Sequence, residues 1–290
     1  MPTPRLIGAQ RAQLTTPGFF WSADYSCADN TETYFYWFNN STGDLYRAQL
    51  PNLANKTTIT TIANPSSCAA MRAHPTDPNL LVYFNKVDGV NTINTSTGAV
   101  VQVMTLSAFN TMVSVNSDLN MNYLENVRIR GSKLLLHGGN DPSGSVWEYD
   151  VGAGTANLVY RNNALGRGFD LGPDTTREFV LTGYDTPSMI LYIIDLLLGQ
   201  VRMLAGIGTG GSIVDGNAYT TANFNIINKV YRAASDLYYV RDDNDYIRWI
   251  QGGSVGSYSN WTLGGRFICQ YLPIRNLVVS VGIQDITVWE

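Results

Sequence analysis

Gly206, Gly208 and Gly211 sit in LAGIGTGGSIVDGNAYTTANF and spell G-x-G-x-x-G after VRML, which reads as a strand. That spacing is the one a dinucleotide-binding turn uses. It works only if a helix starts at the third glycine, because the helix N-terminus supplies free N–H groups and a positive dipole end to the pyrophosphate. The residues that follow argue against a helix. Asp215-Gly216 is a turn pair, and Ile213, Val214, Tyr219, Thr220 and Thr221 form helices poorly and carry no i, i+3, i+4 apolar stripe. The phosphate-binding mechanism has no scaffold, so no cofactor is expected here.

The other chemistry-bearing residues are sparse. His74 lies in a Pro/Asp turn and His137 ends a strand before Gly138-Gly139, and these are the 2 histidines of the chain. Zinc or triad chemistry needs more converging ligands. Asp242 to Asp245 read DDND, an oxygen-rich run, but the Gly and Glu of a calcium loop are missing and the run suits a tight turn between strands. Cys27, Cys68 and Cys269 are far apart, odd in number and outside any C-x-x-C, so buried free thiols are expected rather than a disulfide framework. No metal site and no catalytic residue is assigned.

The elements that position these residues are strands. Of 290 residues, 44% are hydrophobic and only 14% charged, against about 25% charged in average soluble proteins. Asn, Thr, Ser, Gly and Tyr fill the difference, a mixture that suits strands and turns. The net charge of −4 and the lack of a basic run leave no nucleic-acid footprint. MILYIIDLLLG is too short to span a bilayer and contains Asp195, so it reads as a buried strand and its turn and no membrane insertion is expected. The first residues, MPTPRLIGAQRAQLTT, lack the apolar core of a standard signal peptide.

Leu204 to Ile250 resembles an NHL repeat. The matching features are Asp215-Gly216, Ala222-Asn223-Phe224, the strand Leu237-Tyr238-Tyr239-Val240, the acidic turn Asp242 to Asp245, and Ile247-Arg248-Trp249-Ile250. The family usually places a proline shortly after the phenylalanine, where this chain has Ile226-Ile227. The resemblance implies a β-propeller and says little about activity.

Blade-like patterns recur along the chain. The hairpins VNTINTSTGAVVQVMTL, SVWEYDVGAGTANLVY, MILYIIDLLLGQVRML and YIRWIQGGSVGSYSNWTL each follow a second strand and a short inner strand, the latter SCAAMRA, LENVRIR, RGFDLGP or INKVYRA. The first blade is assigned FFWSA, TYFYWF, DLYRAQL and TTITTIA. The reading is a single all-β domain, 1–290, a six-bladed β-propeller with blades at about 18–64, 67–106, 123–161, 166–206, 223–264 and 266–290. The last has three strands of its own, and RLIGAQRAQL at 5–14 is expected to complete it, because an open edge leaves backbone groups unpaired.

Inner strands of a propeller line a channel. Glu125, Arg128, Arg167, Asp170, Asn225, Arg266 and Gln270 are the polar candidates there, and no acid recurs at one blade position as a catalytic ring would require. Two classes of function follow. The first is a non-enzymatic docking propeller: the composition resembles that of phage virion proteins, tail components above all, with other structural proteins as partners. The second is a propeller enzyme or lectin-like module acting on or binding carbohydrate, such as a host-surface glycan. Contacts are expected on the loops 50–57, 106–122 and 206–224, through Phe109, Met112, Met121, Asn122, Ile213 and Tyr219.

Overall fold

The computed structural model describes residues 10–15, 25–113, 119–138, 144–162, 165–183, 189–208, 213–242, 246–258, 267–272, 274–281 and 285–289. Among them the chain builds six antiparallel sheets, the blades of a six-bladed β-propeller. The first contains β2 (Ser26–Ala28), β3 (Tyr34–Phe38), β4 (Asp44–Gln49) and β5 (Ala54–Thr61). The second contains β6 (Cys68–Ala73), β7 (Leu80–Asn85), β8 (Gly89–Asn94) and β9 (Val100–Met104), followed by a helix, α1 (Leu106–Val113). The third has β10 (Leu124–Arg130), β11 (Lys133–Gly138), β12 (Gly144–Asp150) and β13 (Thr155–Asn162). The fourth has β14 (Leu165–Leu171), β15 (Glu178–Gly183), β16 (Leu191–Asp195) and β17 (Gln200–Ala205). The fifth joins β18 (Gly216–Asn217) to β19 (Ile227–Arg232), β20 (Leu237–Asp242), β21 (Tyr246–Gln251) and β22 (Ser254–Ser257). The sixth has β23 (Phe267–Leu272), β24 (Leu277–Val281) and β25 (Asp285–Trp289), and its outer strand is β1 (Gln10–Thr15).

The contacts group the chain into two compact units, one of mainly Tyr160–Arg266, the other holding the first three blades and the last. In the larger unit Phe35, Trp37, Leu272, Val279 and Ile286 share one apolar cluster, and Phe84, Phe109, Leu136 and Trp147 share another. In the smaller unit Val180, Ile193, Phe224, Val240 and Ile250 form the core.

The middle strands are buried along nearly their whole length, as in YFYWF and LLVYFN. A blade's two faces are both covered, so its central strands read as apolar runs and not as a strict alternation. The inner strands β6, β10, β14, β19 and β23 each slip register near their N-terminal end, for example between Cys68 and Ala70 and between Leu124 and Asn126. Such bulges bend a strand and sharpen its twist.

Side chains also stitch one inner strand to the next. Arg72 Nε donates to the Val127 carbonyl at 2.8 Å, and its Nη1 reaches the Ser26 carbonyl at 3.3 Å, so one buried guanidinium spans β2, β6 and β10. Gln270 Oε1 accepts the Ala28 N–H at 2.8 Å. In the smaller unit Asp170 Oδ2 accepts the Arg232 N–H at 2.9 Å, joining β14 to β19.

The closure is as expected from the sequence. β1 pairs antiparallel with β25, from Gln10 opposite Trp289 to Thr15 opposite Asp285. Glu32 reinforces the junction of first and last blades. It is buried, sits at φ 53, and its carboxylate accepts the N–H groups of Ile274 and Arg275 at 3.2 and 2.8 Å.

Three details differ from the sequence reading. The first blade's inner strand is Ser26–Ala28, while FFWSA lies outside the described residues. Residues 106–113, read as loop, form α1: Thr105 Oγ1 accepts the Ala108 N–H at 3.2 Å as an N-cap, and Phe109 and Val113, four apart, bury one face. The fifth blade gains β18 as an extra outer strand on β22.

Deleting residues up to Thr15 would strip the ladder from β25 and expose its edge. The shortened chain is expected to aggregate or to melt at least about 5 °C below the full chain in a thermal scan. An unchanged melting temperature would rule out this role for β1.

Candidate functional site

The glycine-rich segment is described on both sides of residues 209–212, which lie outside the described residues. Gly206 holds φ at +100, and a Cβ there would lie 2.1 Å from the Met189 carbonyl oxygen, so only glycine fits. Its N–H donates to the Ala218 carbonyl at 2.8 Å. Gly211 falls outside the described residues, but beyond it no described residue up to Phe224 is helical. Val214 and Asn223 exchange backbone hydrogen bonds, β18 adds to the sheet, and Asn217 Oδ1 accepts the N–H groups of Tyr219 and Thr220 in a turn. Residues 213–224 fold back onto their own blade, and among them no helix offers the terminus a pyrophosphate needs.

Arg248 fixes that loop. Its side chain on β21 is fully buried. Nη1 pairs with Asp242 Oδ2 at 3.0 Å and also donates to the Asn223 carbonyl. Nη2 pairs with Asp215 Oδ1 at 2.9 Å and donates to the Val214 carbonyl. The guanidinium lies 4.4 Å over the Phe224 ring. Asp215 then accepts Ser257 N–H at 2.9 Å, and Asp242 accepts the N–H groups of Asn225 and Ile226 at 2.8 and 3.0 Å. Burial pushes the Asp242 carboxyl above the usual carboxylate range, against the opposing pull of Arg248 and those amides. Asp215-Gly216, Ala222-Asn223-Phe224 and Ile247-Arg248 therefore meet in one network. The sequence reading passed over Arg248 itself. Its signal was the arginine of I-R-W-I directly after an acidic turn.

Several of the remaining sequence candidates are held by the scaffold. Asp242 is the buried end of β20 and not a free calcium ligand, while 243–245 lie outside the described residues. Asp170 is nearly buried and accepts the N–H groups of Leu171 and Arg232. Arg128 Nη1 donates to the Val127 carbonyl, and Glu125 and Asn225 are half-buried. Arg266 and the side chain of Arg167 lie outside the described residues. His137 is buried, with Nδ1 3.1 Å from Asn126 Nδ2. Cys27 and Cys68 are buried and form no disulfide, and burial pushes the Cys27 thiol up to about 12. The Cys269 side chain lies outside the described residues.

The proposed contact residues separate into two groups. Phe109 and Met121 are fully buried in the core beneath α1, and Met112 packs against the same cluster. This corrects the reading of these three as loop contacts: α1 turns Phe109 and Met112 inward, and Met121, in a separate short turn, fills the same core. Asn122 and Tyr219 are exposed and Ile213 is half-buried.

No family profile and no curated protein matches this sequence. Solved structures do resemble it. One is a protein of unknown function from Bacteroides thetaiotaomicron VPI-5482, at 15% identity and TM-score 0.57, covering 80% of this chain and 58% of that one. Another is an auxiliary nutrient binding protein from Bacteroides ovatus ATCC 8483, at 11% and 0.61, covering 95% and 76%. A third is the Swd1 β-propeller domain from Myceliophteria thermophila, at 11% and 0.52, covering 92% and 82%. At these identities the likeness is one of fold. This chain spans less than two thirds of the first of them.

Two substitutions test the site. Arg248→Leu strands Asp242 in the core and is expected to cost about 3–5 kcal/mol in denaturant unfolding, whereas Asp215→Asn, at a half-exposed partner, should cost about 1 kcal/mol. Equal, small losses would show that the pair does not anchor the loop.

His74 gives a pH test. Its Nδ1 accepts the N–H groups of Thr76 and Asp77 at 3.3 and 3.1 Å, as Asn94 Oδ1 does for Ser96 and Thr97, so the ring must be deprotonated at that nitrogen. Burial holds its pKa below the ordinary histidine value, with Asp77 opposing. A depressed folded pKa contributes stability above the unfolded value of about 6.5, lost as pH falls through the folded value. His74→Asn keeps the acceptor and removes the titration. The melting-temperature gap between variant and wild type should widen in the variant's favour below pH about 6.5. A constant gap would contradict this.

Proposed function

We propose that this chain is a non-enzymatic docking propeller that holds neighbouring proteins within a multi-subunit assembly, a phage tail in the first instance, and so resides in the virion. The observation that carries this reading is the loop 213–226. Arg248 fixes it from within, while Tyr219, 49% exposed, and Ile226 stand outside on it. A rigid loop that displays an aromatic and an aliphatic residue binds at low entropic cost. The polar groups that could do chemistry are meanwhile engaged by the scaffold, Asp170 and Asp242 by backbone amides and Arg248. The Asn-, Thr- and Tyr-rich, histidine-poor composition supports the virion assignment.

A second reading is a carbohydrate- or nutrient-binding propeller. It is favoured by the Bacteroides ovatus neighbour, described as an auxiliary nutrient binding protein, whose fold runs with 95% of this chain.

The test is incorporation. Tyr219→Lys with Ile226→Lys should leave the melting temperature within about 1 °C and abolish assembly of the chain into the particle it co-purifies with. If the isolated protein instead hydrolyses a glycoside or lactone, and a folded Asp170→Asn variant does not, the docking reading fails. Oligosaccharide binding in calorimetry that Tyr219→Ala removes would establish the second reading.

A further inference from the structure

In two of the turns between an inner and a second strand, a carboxylate organises the backbone. Asp29, the first residue after β2, accepts the Thr33 N–H at 2.8 Å and the Tyr34 N–H at 3.2 Å. Asp174, after β14, accepts the Thr176 N–H at 3.0 Å. In the second blade the residue directly after β6 is His74. Its Nδ1 takes the same part, accepting the Thr76 and Asp77 N–H groups at 3.3 and 3.1 Å, with the Thr76 hydroxyl 3.4 Å away. Other hairpin turns use Asn39, Asn85, Asn94, Asp150 and Asp195 as the acceptor.

These acceptors differ in what a proton does to them. A carboxamide does not titrate, and a carboxylate keeps its charge until far below neutrality. An imidazole takes a proton in the mildly acidic range, and both of its nitrogens are then donors. A protonated Nδ1 aims an N–H at two backbone N–H groups. The turn does not survive that arrangement, so the ring leaves and the two amides lose their acceptor.

Within the larger unit the turn is tied on both sides. From the first blade, Asn30 Nδ2 donates to the His74 carbonyl at 2.8 Å. At the other end the Asn79 carbonyl accepts the Thr95 N–H at 2.8 Å and the Thr95 hydroxyl at 3.1 Å. His74 is half-buried, within reach of solvent. Burial holds its pKa below the ordinary histidine value, and Asp77 of the same turn opposes this. The charged groups of the neighbouring elements are engaged elsewhere. Backbone amides hold Asp29 and Glu32, the Ser26, Met71 and Val127 carbonyls hold Arg72, and the Thr95 carbonyl holds Arg47.

We propose that the turn 74–79 is a pH-operated clip between the first and second blades: a proton on His74 Nδ1 expels the Thr76 and Asp77 amides, opens the turn and releases Asn30. The opening is local and reversible, and it leaves the strands on either side paired. It goes beyond the docking reading and does not depend on it.

The test is an NMR titration of the full chain from about pH 7.5 to about pH 5. The His74 ring should titrate below the ordinary histidine value. The amide signals of Thr76 and Asp77 and the side-chain amide of Asn30 should move with the same midpoint, while Val82 and Phe84 on β7 stay in place. His74→Asn installs the acceptor of the Asn94 turn, and the movement at all three should be lost. A ring that titrates while Thr76 and Asp77 stay in place overturns the proposal, and so does an Asn30 signal that does not follow them. Movement in His74→Asn equal to that of the wild type assigns the effect to another group and overturns it too. Val82 and Phe84 moving with the ring would mean a general loosening of the blade in place of a clip. The wild-type titration alone decides the matter if His74→Asn does not fold.

Discussion

The pairing of β1 with β25 joins the two ends of the chain, and Gln13 Nε2 donates to Asp285 across 272 positions of sequence. An antiparallel sheet ends in an edge of unpaired N–H and C=O groups. In the last blade that edge is taken up by a strand from the other end of the chain. The junction of first and last blades is secured twice more, by Gln270 on Ala28 and by the buried Glu32 carboxylate on the Ile274 and Arg275 amides. Glu32 adopts a left-handed conformation to do so, a strain that its two charge-assisted hydrogen bonds offset.

The same economy governs the polar residues within the blades. Arg72, Asp170 and Gln270 belong to inner strands, where catalytic groups could stand, and each is committed to backbone atoms of an adjoining blade. Arg248 does likewise for the glycine-rich loop. A buried guanidinium with one partner removed costs more than the pair contributes net, so these contacts fix arrangement more than they add stability. Loops held in this way keep their shape while their outer residues are free to differ. Tyr219 and Ile226, exposed on such a loop, are therefore free to vary without cost to the fold.

The hairpin turns make the separation visible. Asn94, Asp150 and Asp195 each organise the same tip, and the glycine four residues on supplies the positive φ. The second residue is engaged as well, buried at Thr95 and Val151, while the two tip residues that follow stand exposed, and in the fourth blade these are leucines.

The sequence by itself determined the fold class. Strand-length apolar runs separated by Asx- and Gly-bearing turns recur at blade spacing, and they form with the expected strands at LLVYF, KLLLHG and DLYYV because both faces of a blade are covered. It also settled against a helix after the glycines, since turn chemistry is local. It did not reveal α1, whose stripe of Leu106, Phe109 and Val113 is a single helical repeat and gains stability only from the core it meets. Nor did it reveal that Asp170 accepts from Arg232, Glu32 from Ile274 and that Arg248 holds Asp215, because these partners lie 62, 242 and 33 positions away. Residue type shows that a group can pair or react. Only the tertiary structure brings up the backbone amide or guanidinium that decides which, because the partner's distance in sequence leaves no local trace.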